Sequence, residues 1–261
     1  MIKLQILRPR SGLRMTVAGA FFFATACGTK DAPGALSPQG DVARMRFVNV
    51  ITDPARNPVN AILETVPFGV NLAYTASTPA SLASPSTANY DAILTGSRTL
   101  VVKRTADTTV TLATITFTIA KDEDKTIYAV GGTGGGAVTS VITTDVNTAT
   151  LATEVRMRIV NMSPTLGAAD VFVTAPGADL SAATPDATNL ASQTASAYFS
   201  KAPATYSVRF VPAGTPAGAR NASVSLTLAN TAFAGGTGRT VVAADRQAGG
   251  APLQAFVLAD R

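Results

Sequence analysis

The sequence offers few side chains for catalysis, because it contains no histidine, no tryptophan and a single cysteine. Without histidine, a Ser-His-Asp triad, a histidine metal site and a histidine general base are all excluded. Neither Gly-x-Ser-x-Gly nor Ser-x-x-Lys occurs, so two common serine nucleophile patterns are missing as well. The 16 acidic residues leave a carboxylate-based carbohydrate hydrolase open as an alternative. We expect the protein not to be an enzyme and to bind no cofactor or metal.

Two short motifs have the composition of binding loops, but their surroundings favour turns between strands. Gly131–Gly136 is rich enough in glycine to surround a phosphate, yet a phosphate loop opens onto a helix, whereas residues 137–142 look like a strand. Lys121–Lys125 contains three consecutive acids without the ligand spacing of a calcium loop. We therefore predict hairpin turns at both places, and neither nucleotide nor Ca²⁺ binding.

The N-terminal 26 residues have the pattern of a secretion signal. The first 14 residues carry four basic side chains and no acid, and the apolar stretch Met15–Ala26 follows. This stretch is shorter than the about 20 residues that span a bilayer as a helix. We therefore expect residues 1–26 to be a signal peptide that is removed during export.

The only cysteine, Cys27, directly follows Phe23-Ala24-Thr25-Ala26 at the end of the apolar stretch. Small residues before such a cysteine resemble the lipobox of bacterial lipoproteins, although leucine is commonest where Ala24 stands. The resemblance implies that Cys27 is lipidated and that the lipid anchors the protein to a membrane. A glycine after the cysteine, here Gly28, resembles the sequence of lipoproteins that are sorted to the outer membrane. The alternative is an ordinary signal peptide that is cut near Ala26 and leaves Cys27 as a free thiol.

The charge balance changes when the signal peptide is removed. Four of the 21 basic residues lie in 1–26, so 17 remain against 16 acids. A nucleic-acid-binding protein needs an excess of basic side chains for phosphate contacts. We therefore expect no nucleic-acid partner. Residues 27–41 are rich in proline and glycine and lack periodicity, so they are predicted to form a flexible tether.

The remainder of the chain contains two copies of one unit. Arg44–Val50 returns as Arg156–Met162, an offset of 112 residues. Later segments return in the same order, including the pairs 125–130 with 239–244 and 141–145 with 256–260, and Tyr90 matches Tyr198. A period of this length indicates duplicated domains, which we place at 42–150 and 151–261 and expect to fold independently. The two tyrosines are predicted to pack in the domain cores.

Each unit is predicted to be an antiparallel β-sandwich of immunoglobulin-like size. In 155–159, apolar residues alternate with arginines, which indicates a strand with one buried and one solvated face. The same pattern holds in 44–47, where Met45 and Phe47 alternate with Arg44 and Arg46. On this interpretation Ile159→Asp should unfold the domain and Arg158→Ala should be mild. The second unit contains seven strand-like segments separated by turn residues, namely 155–162, 170–174, 197–201, 205–211, 223–228, 240–244 and 253–259.

The second unit resembles the bacterial DUF4397 family. Its residues Arg156–Asn161, the turn Ser163-Pro164 and the stretch Ala169–Val173 match a family pattern of a strand, a Ser-Pro turn and an Asp-Val-aromatic-Val strand. The resemblance covers nearly all of 151–261 and extends more loosely over 42–150. It implies an exported tandem β-sandwich protein without assigned catalysis.

These observations predict a non-catalytic, lipid-anchored protein of the cell envelope that acts as a spacer or as a binding module for protein or polysaccharide. Two long segments rich in Ser, Thr and Ala, 75–88 and 175–196, occupy matching positions, and we expect any binding to involve them. Two alternatives stay open: the carbohydrate hydrolase named above, and a structural subunit that assembles through exposed edge strands.

Overall fold

The computed structural model describes residues 40–80 and 89–260, which form strands joined by turns and three short 3-10 segments, with no α-helix in this part of the chain. The strands of repeat 1 are β1 (Val42–Ile51), β2 (Val59–Leu63), β3 (Val66–Leu72), β4 (Ser77–Thr78), β5 (Asp91–Leu94), β6 (Gly96–Arg104), β7 (Thr111–Ile119), β8 (Asp124–Gly131) and β9 (Val138–Asp145). Those of repeat 2 are β10 (Val155–Asn161), β11 (Ala169–Thr174), β12 (Ala187–Leu190), β13 (Thr194–Ala195), β14 (Phe199–Lys201), β15 (Ala204–Pro212), β16 (Leu226–Phe233), β17 (Thr237–Ala244) and β18 (Gln254–Ala259). The 3-10 segments are Pro54–Arg56, Thr133–Gly135 and Ala217–Ala219.

Both repeats have the same sheet topology. In repeat 1 the inner sheet has the order β4-β1-β8-β9, with β5 also on β1, and the outer sheet has the order β3-β2-β6-β7. Repeat 2 has an inner sheet β13-β10-β17-β18, with β14 on β10, and an outer sheet β12-β11-β15-β16. The predicted all-β sandwich class is confirmed. One pair in each repeat, β1 with β8 and β10 with β17, runs parallel, a detail that side-chain alternation does not reveal.

The four sheets are stacked, and each pair of neighbours encloses an apolar layer. One layer lies between the two sheets of repeat 1, with Phe47, Leu100 and Ile127 among its buried members. A second lies between the sheets of repeat 2 and includes Ile159 and Phe210. The third lies between the two inner sheets and contains residues of both repeats, so the repeats belong to one compact unit. We call this interface between the inner sheets the seam.

The central strands β1 and β10 are buried on both faces. Residues Met45 and Phe47 of β1 face the core of repeat 1, whereas Arg46 and Val48, which alternate with them, face the seam. All four are 0% exposed. Arg158 of β10 is likewise only 2% exposed. The expectation that the arginines lie on a solvated face is therefore wrong for Arg46 and Arg158, because the other repeat covers that face.

The long segment 175–196 belongs to the fold of repeat 2. It contains β12 and β13, which pair with β11 and β10 respectively. Its Leu180 is 0% exposed and packs with Phe172 and Val211 on the outer face of the outer sheet. Of the matching segment 75–88, residues 81–88 lie outside the described residues, and β4 pairs with β1.

The two motifs with the composition of binding loops both connect strands. Gly131–Gly136 joins β8 to β9, and its first residue adopts a φ of 91° at a point where a Cβ would lie 2.6 Å from the carbonyl oxygen of Ala137. Only glycine fits this close approach of two backbones. Lys121–Lys125 forms the turn between β7 and β8 and the start of β8.

Candidate functional site

Four buried charged side chains cross the seam as two reciprocal ion pairs. Arg46 of repeat 1 donates from Nη2 to Asp260 Oδ1 of repeat 2 at 2.9 Å. Arg158 of repeat 2 donates from Nη2 to Asp145 Oδ1 of repeat 1 at 2.6 Å. The exposed fractions of the four side chains are 0 to 3%. Each repeat thus supplies the cation for the other repeat's anion.

Hydroxyl groups complete the coordination of the two carboxylates. Asp145 accepts hydrogen bonds from Tyr90 at 2.7 Å, from Thr143 at 2.8 Å and from Thr126. Asp260 accepts a bond from Thr240 at 2.7 Å and a longer one from Tyr90 at 3.4 Å. A buried charge is stable only when its lone pairs are satisfied in this way.

Two tyrosines cover the guanidinium groups. The Cζ atom of Arg46 lies 4.6 Å from the ring centroid of Tyr90, and that of Arg158 lies 4.7 Å from the ring centroid of Tyr198. Both distances are within cation–π range. The prediction that both tyrosines pack in the domain cores is wrong: Tyr90 is 5% exposed but contacts the charge cluster of the seam, and Tyr198 is only half-buried. The sequence does not reveal these positions, because the seam joins two distant parts of the chain.

The electrostatic environment keeps the arginines charged and the tyrosines neutral. Burial alone would lower the pKa of Arg46, but the negative charges of Asp260 and Asp145 oppose this effect, and the pKa is raised above its ordinary value. Burial also tends to lower the pKa of Arg158, but the negative charge of Asp145 raises it, and the pKa is above its ordinary value. Burial also raises the pKa of Tyr90 and Tyr198, so both hydroxyls remain protonated near neutral pH.

The cluster is approximately two-fold symmetric because its members occupy equivalent strand positions. Arg46 and Arg158 occupy matching positions on β1 and β10, and Asp145 and Asp260 end the matching stretches 141–145 and 256–260. Even the backbone contacts correspond, since Nη1 of Arg46 donates to the Ala259 carbonyl at 2.8 Å and Nη1 of Arg158 donates to that of Thr144 at 3.2 Å. The duplication therefore builds its own interface.

Apolar side chains occupy the rest of the seam. Buried members from both repeats pack together, namely Val48, Val50, Tyr128, Val130, Val160, Met162, Val242, Ala244 and Leu258. Burying apolar surface supplies the main favourable free energy of such an interface, and the ion pairs fix its orientation.

The hydroxyl of Tyr128 allows the energetics of the seam to be tested by substitution. Tyr128 is 0% exposed, and its hydroxyl has no hydrogen-bond partner among residues 40–80 and 89–260. Because an unsatisfied buried hydroxyl is unfavourable, Tyr128→Phe should raise the free energy of unfolding by about 1 kcal/mol, measured by urea denaturation. The matched variant Tyr90→Phe loses a bond to a carboxylate and should lower it by about 2 kcal/mol. Equal losses in both variants would contradict the assignment.

The family follows from residues 43–172, which match the profile described as "Domain of unknown function (DUF4397)". The chain belongs to the DUF4397 family. The match covers repeat 1 and the first two strands of repeat 2, whereas the resemblance found from individual residues is closest over 151–261. A comparison with curated proteins gives no match.

In this DUF4397 chain, the carboxylates of the seam are poorly placed for hydrolysis. Asp145 and Asp260 both accept from the hydroxyl of Tyr90, yet both side chains are 0% exposed and occupied by donors. A glycosidase needs two carboxylates on either side of a bound sugar. In the conformation described, substrate has no access to this pair.

The other residues singled out from the sequence are scattered. Cys27, the signal peptide 1–26 and the tether up to residue 39 lie outside the described residues. Within the acidic run, Asp124 pairs with Arg44 and Glu123 pairs with Lys125, at 2.6 and 2.8 Å. No group of three His, Cys, Asp or Glu in the described part of the chain is arranged to hold a metal ion. That part also contains no helix with the length and hydrophobicity needed to cross a bilayer.

Two of the open grooves on the DUF4397 fold are lined in part by residues of the segments expected to mediate binding. The seam groove, of about 460 Å³, is lined from repeat 1 by Asn71, Tyr74 and Thr75 and from repeat 2 by Arg246, Gln247 and Gln254, with Asn57, Pro58 and Ala73 alongside. A second groove of about 660 Å³ is lined by residues between Asp186 and Phe199 of repeat 2. Parts of both segments expected to mediate binding thus line grooves, and binding itself stays a prediction.

Proposed function

We propose that this DUF4397 protein is a non-catalytic, lipid-anchored protein of the cell envelope, located at the outer membrane. In this proposal the double sandwich acts as a rigid spacer and as a binding module for protein or polysaccharide. The observation that carries it is the reciprocal pairing of buried charges across the seam. A spacer must keep its domains in a fixed orientation, and ion pairs buried at an interface specify such an orientation.

Two further features support the proposal. The sequence before Cys27 has a basic start and a short apolar stretch, and lipidation would consume the only thiol in the chain. The described residues offer open polar grooves, whereas the carboxylates of Asp145 and Asp260 are buried. Open grooves on a rigid scaffold are typical of recognition surfaces.

Lipid attachment is tested by labelling cells with radioactive palmitate. The wild-type protein should incorporate label and sediment with membranes, and Cys27→Ala should do neither. Cys27→Ser serves as the matched variant, since its hydroxyl is nearly isosteric but is not the lipidated group. Absence of label from the wild type would contradict the anchoring. Turnover of a glycan by the purified protein, abolished by substitution of one carboxylate, would instead establish the hydrolase.

A further inference from the structure

The seam groove exists only because the two repeats are packed together. Tyr74 of repeat 1 donates from its hydroxyl to the backbone carbonyl of Asp245 in repeat 2 at 2.5 Å. Gln254 donates from Nε2 to the same carbonyl at 2.9 Å. Side chains from both repeats are therefore fixed at the base of one groove, whose volume of about 460 Å³ is within the range of small-ligand sites.

The wall contributed by repeat 1 is held rigidly from below. The buried side chain of Asn49 donates from Nδ2 to the carbonyls of Leu72 and Ala73 at 3.0 and 3.1 Å, and to the Oδ1 atom of Asn57 at 2.6 Å. The amide of Thr75 bonds back to the Asn49 carbonyl at 2.8 Å. A wall that is already ordered reduces the entropy lost when a ligand binds.

Several polar groups of the groove are free to bind a ligand. Within the described part of the chain, the side chains of Asn71 and Gln247 make no hydrogen bond, and both are exposed. An amide offers a donor and an acceptor side by side, which matches a sugar hydroxyl that both accepts and donates. The half-buried ring of Tyr74 adds a rigid surface with an apolar face.

The charge of the groove favours an anion. Arg246 is exposed, and only its Nε is engaged, donating to the Gly249 carbonyl at 3.1 Å, so both terminal nitrogens remain available among the described residues. None of the described residues lining the groove is acidic. The neighbouring Asp245 is buried, and its carboxylate is occupied by Thr165 and the amide of Gly250 at 2.8 and 3.0 Å.

We infer that the seam groove binds a polysaccharide that carries carboxylate groups, with sugar hydroxyls on Asn71, Gln247 and Gln254 and one carboxylate on Arg246. The inference rests on the proposed function as a binding module and adds a site and a ligand class to it. A guanidinium binds a carboxylate in a two-point geometry, which gives this contact both strength and direction. The repeats create a site that neither contains alone.

The test is titration of the full-length protein with tetragalacturonate by isothermal calorimetry. The wild type should bind, and less tightly at high salt because the charge contact is exposed. Arg246→Ala should weaken binding about tenfold or more. Gln247→Glu, which keeps the size of the side chain but adds a negative charge, should weaken it about fivefold. Lys121→Ala removes one positive charge at the opposite end of the inner sheet and should leave binding unchanged.

Three results would overturn the inference. Tetragalacturonate binding that is unaffected by Arg246→Ala and Gln247→Glu would place the site elsewhere. Equal binding of neutral chitotetraose would exclude a carboxylate-dependent site. Equal binding of tetraglutamate would indicate an acidic peptide instead. In each case palmitate labelling and sedimentation with envelopes report on the proposed function separately, since they do not depend on the groove.

Discussion

Replacement of Asp145 by alanine is expected to lower the free energy of unfolding by about 3–5 kcal/mol, because it leaves Arg158 charged and unpaired inside the seam. The Nη2 atom of Arg158 lies 2.6 Å from Asp145, and both side chains are buried. The substitution also removes the acceptor of Tyr90 and Thr143. Arg158→Ala should be comparably destabilising, which reverses the expectation from the strand pattern. Urea denaturation followed by circular dichroism measures both effects.

The matched control is an ion pair on the surface. Lys121 and Asp41 lie 2.9 Å apart with side chains 61% and 59% exposed, so Lys121→Ala should cause no measurable loss of stability. The double variant of Asp145 and Arg158 should lose less than the sum of the single losses, because the second change removes a charge that is already unpaired. Strict additivity, or a loss no larger than that of Lys121→Ala, would contradict a stabilising role for the pair.

Residues 151–261 produced alone are expected to form a homodimer. Separation from repeat 1 would expose Val160 and Val242 and would leave Arg158 and Asp260 without their partners. A second copy offers the same kind of surface, because the seam is approximately two-fold symmetric. Arg158 of each copy can then pair with Asp260 of the other, as Arg46 does in the intact chain. Light scattering after gel filtration should give twice the mass of the single polypeptide.

Two substitutions that introduce a charge distinguish a specific homodimer from nonspecific association. Val242→Arg adds to each copy a second buried arginine besides Arg158, and it should abolish the dimer. The fragment would then be unfolded or monomeric. Thr227→Arg changes an exposed residue on the outer sheet and should leave the dimer intact. A monomeric wild-type fragment that unfolds cooperatively at the same urea concentration as the full chain would show that repeat 2 is independent of the seam.

Much of the strand content of repeat 2 is predictable, because alternation and turn residues are local properties of the sequence. All seven strand-like segments of that repeat overlap strands in the structure, although 223–228 shares only its last three residues with β16, which continues to Phe233. The short strands β12 and β13 inside 175–196 lie outside the segments that the sequence predicts as strands. They are only four and two residues long and consist largely of Ala, Thr and Asn, so pairing with β11 and β10 defines them more than propensity does.

The seam is harder to predict, because the partner of each charge lies in the other repeat. Alternating arginines normally indicate a solvated face, and only a second layer reverses that meaning. A clue is present in β1, where the seam-facing positions after Arg46 are Val48 and Val50, which are too apolar for a solvated face. A second clue is that both repeats carry an arginine and an aspartate at matching positions.

The hydrogen bond between Arg46 and the Ala259 carbonyl connects the first and last described strands of the fold. It joins the middle of β1 to the end of β18, so the last described strand ends beside the first one. The seam groove lies beyond the C-terminal end of β1, a strand of 10 residues and therefore about 30 Å in length. A ligand held in the groove would therefore lie a full strand length away from Val42, where the first described strand begins.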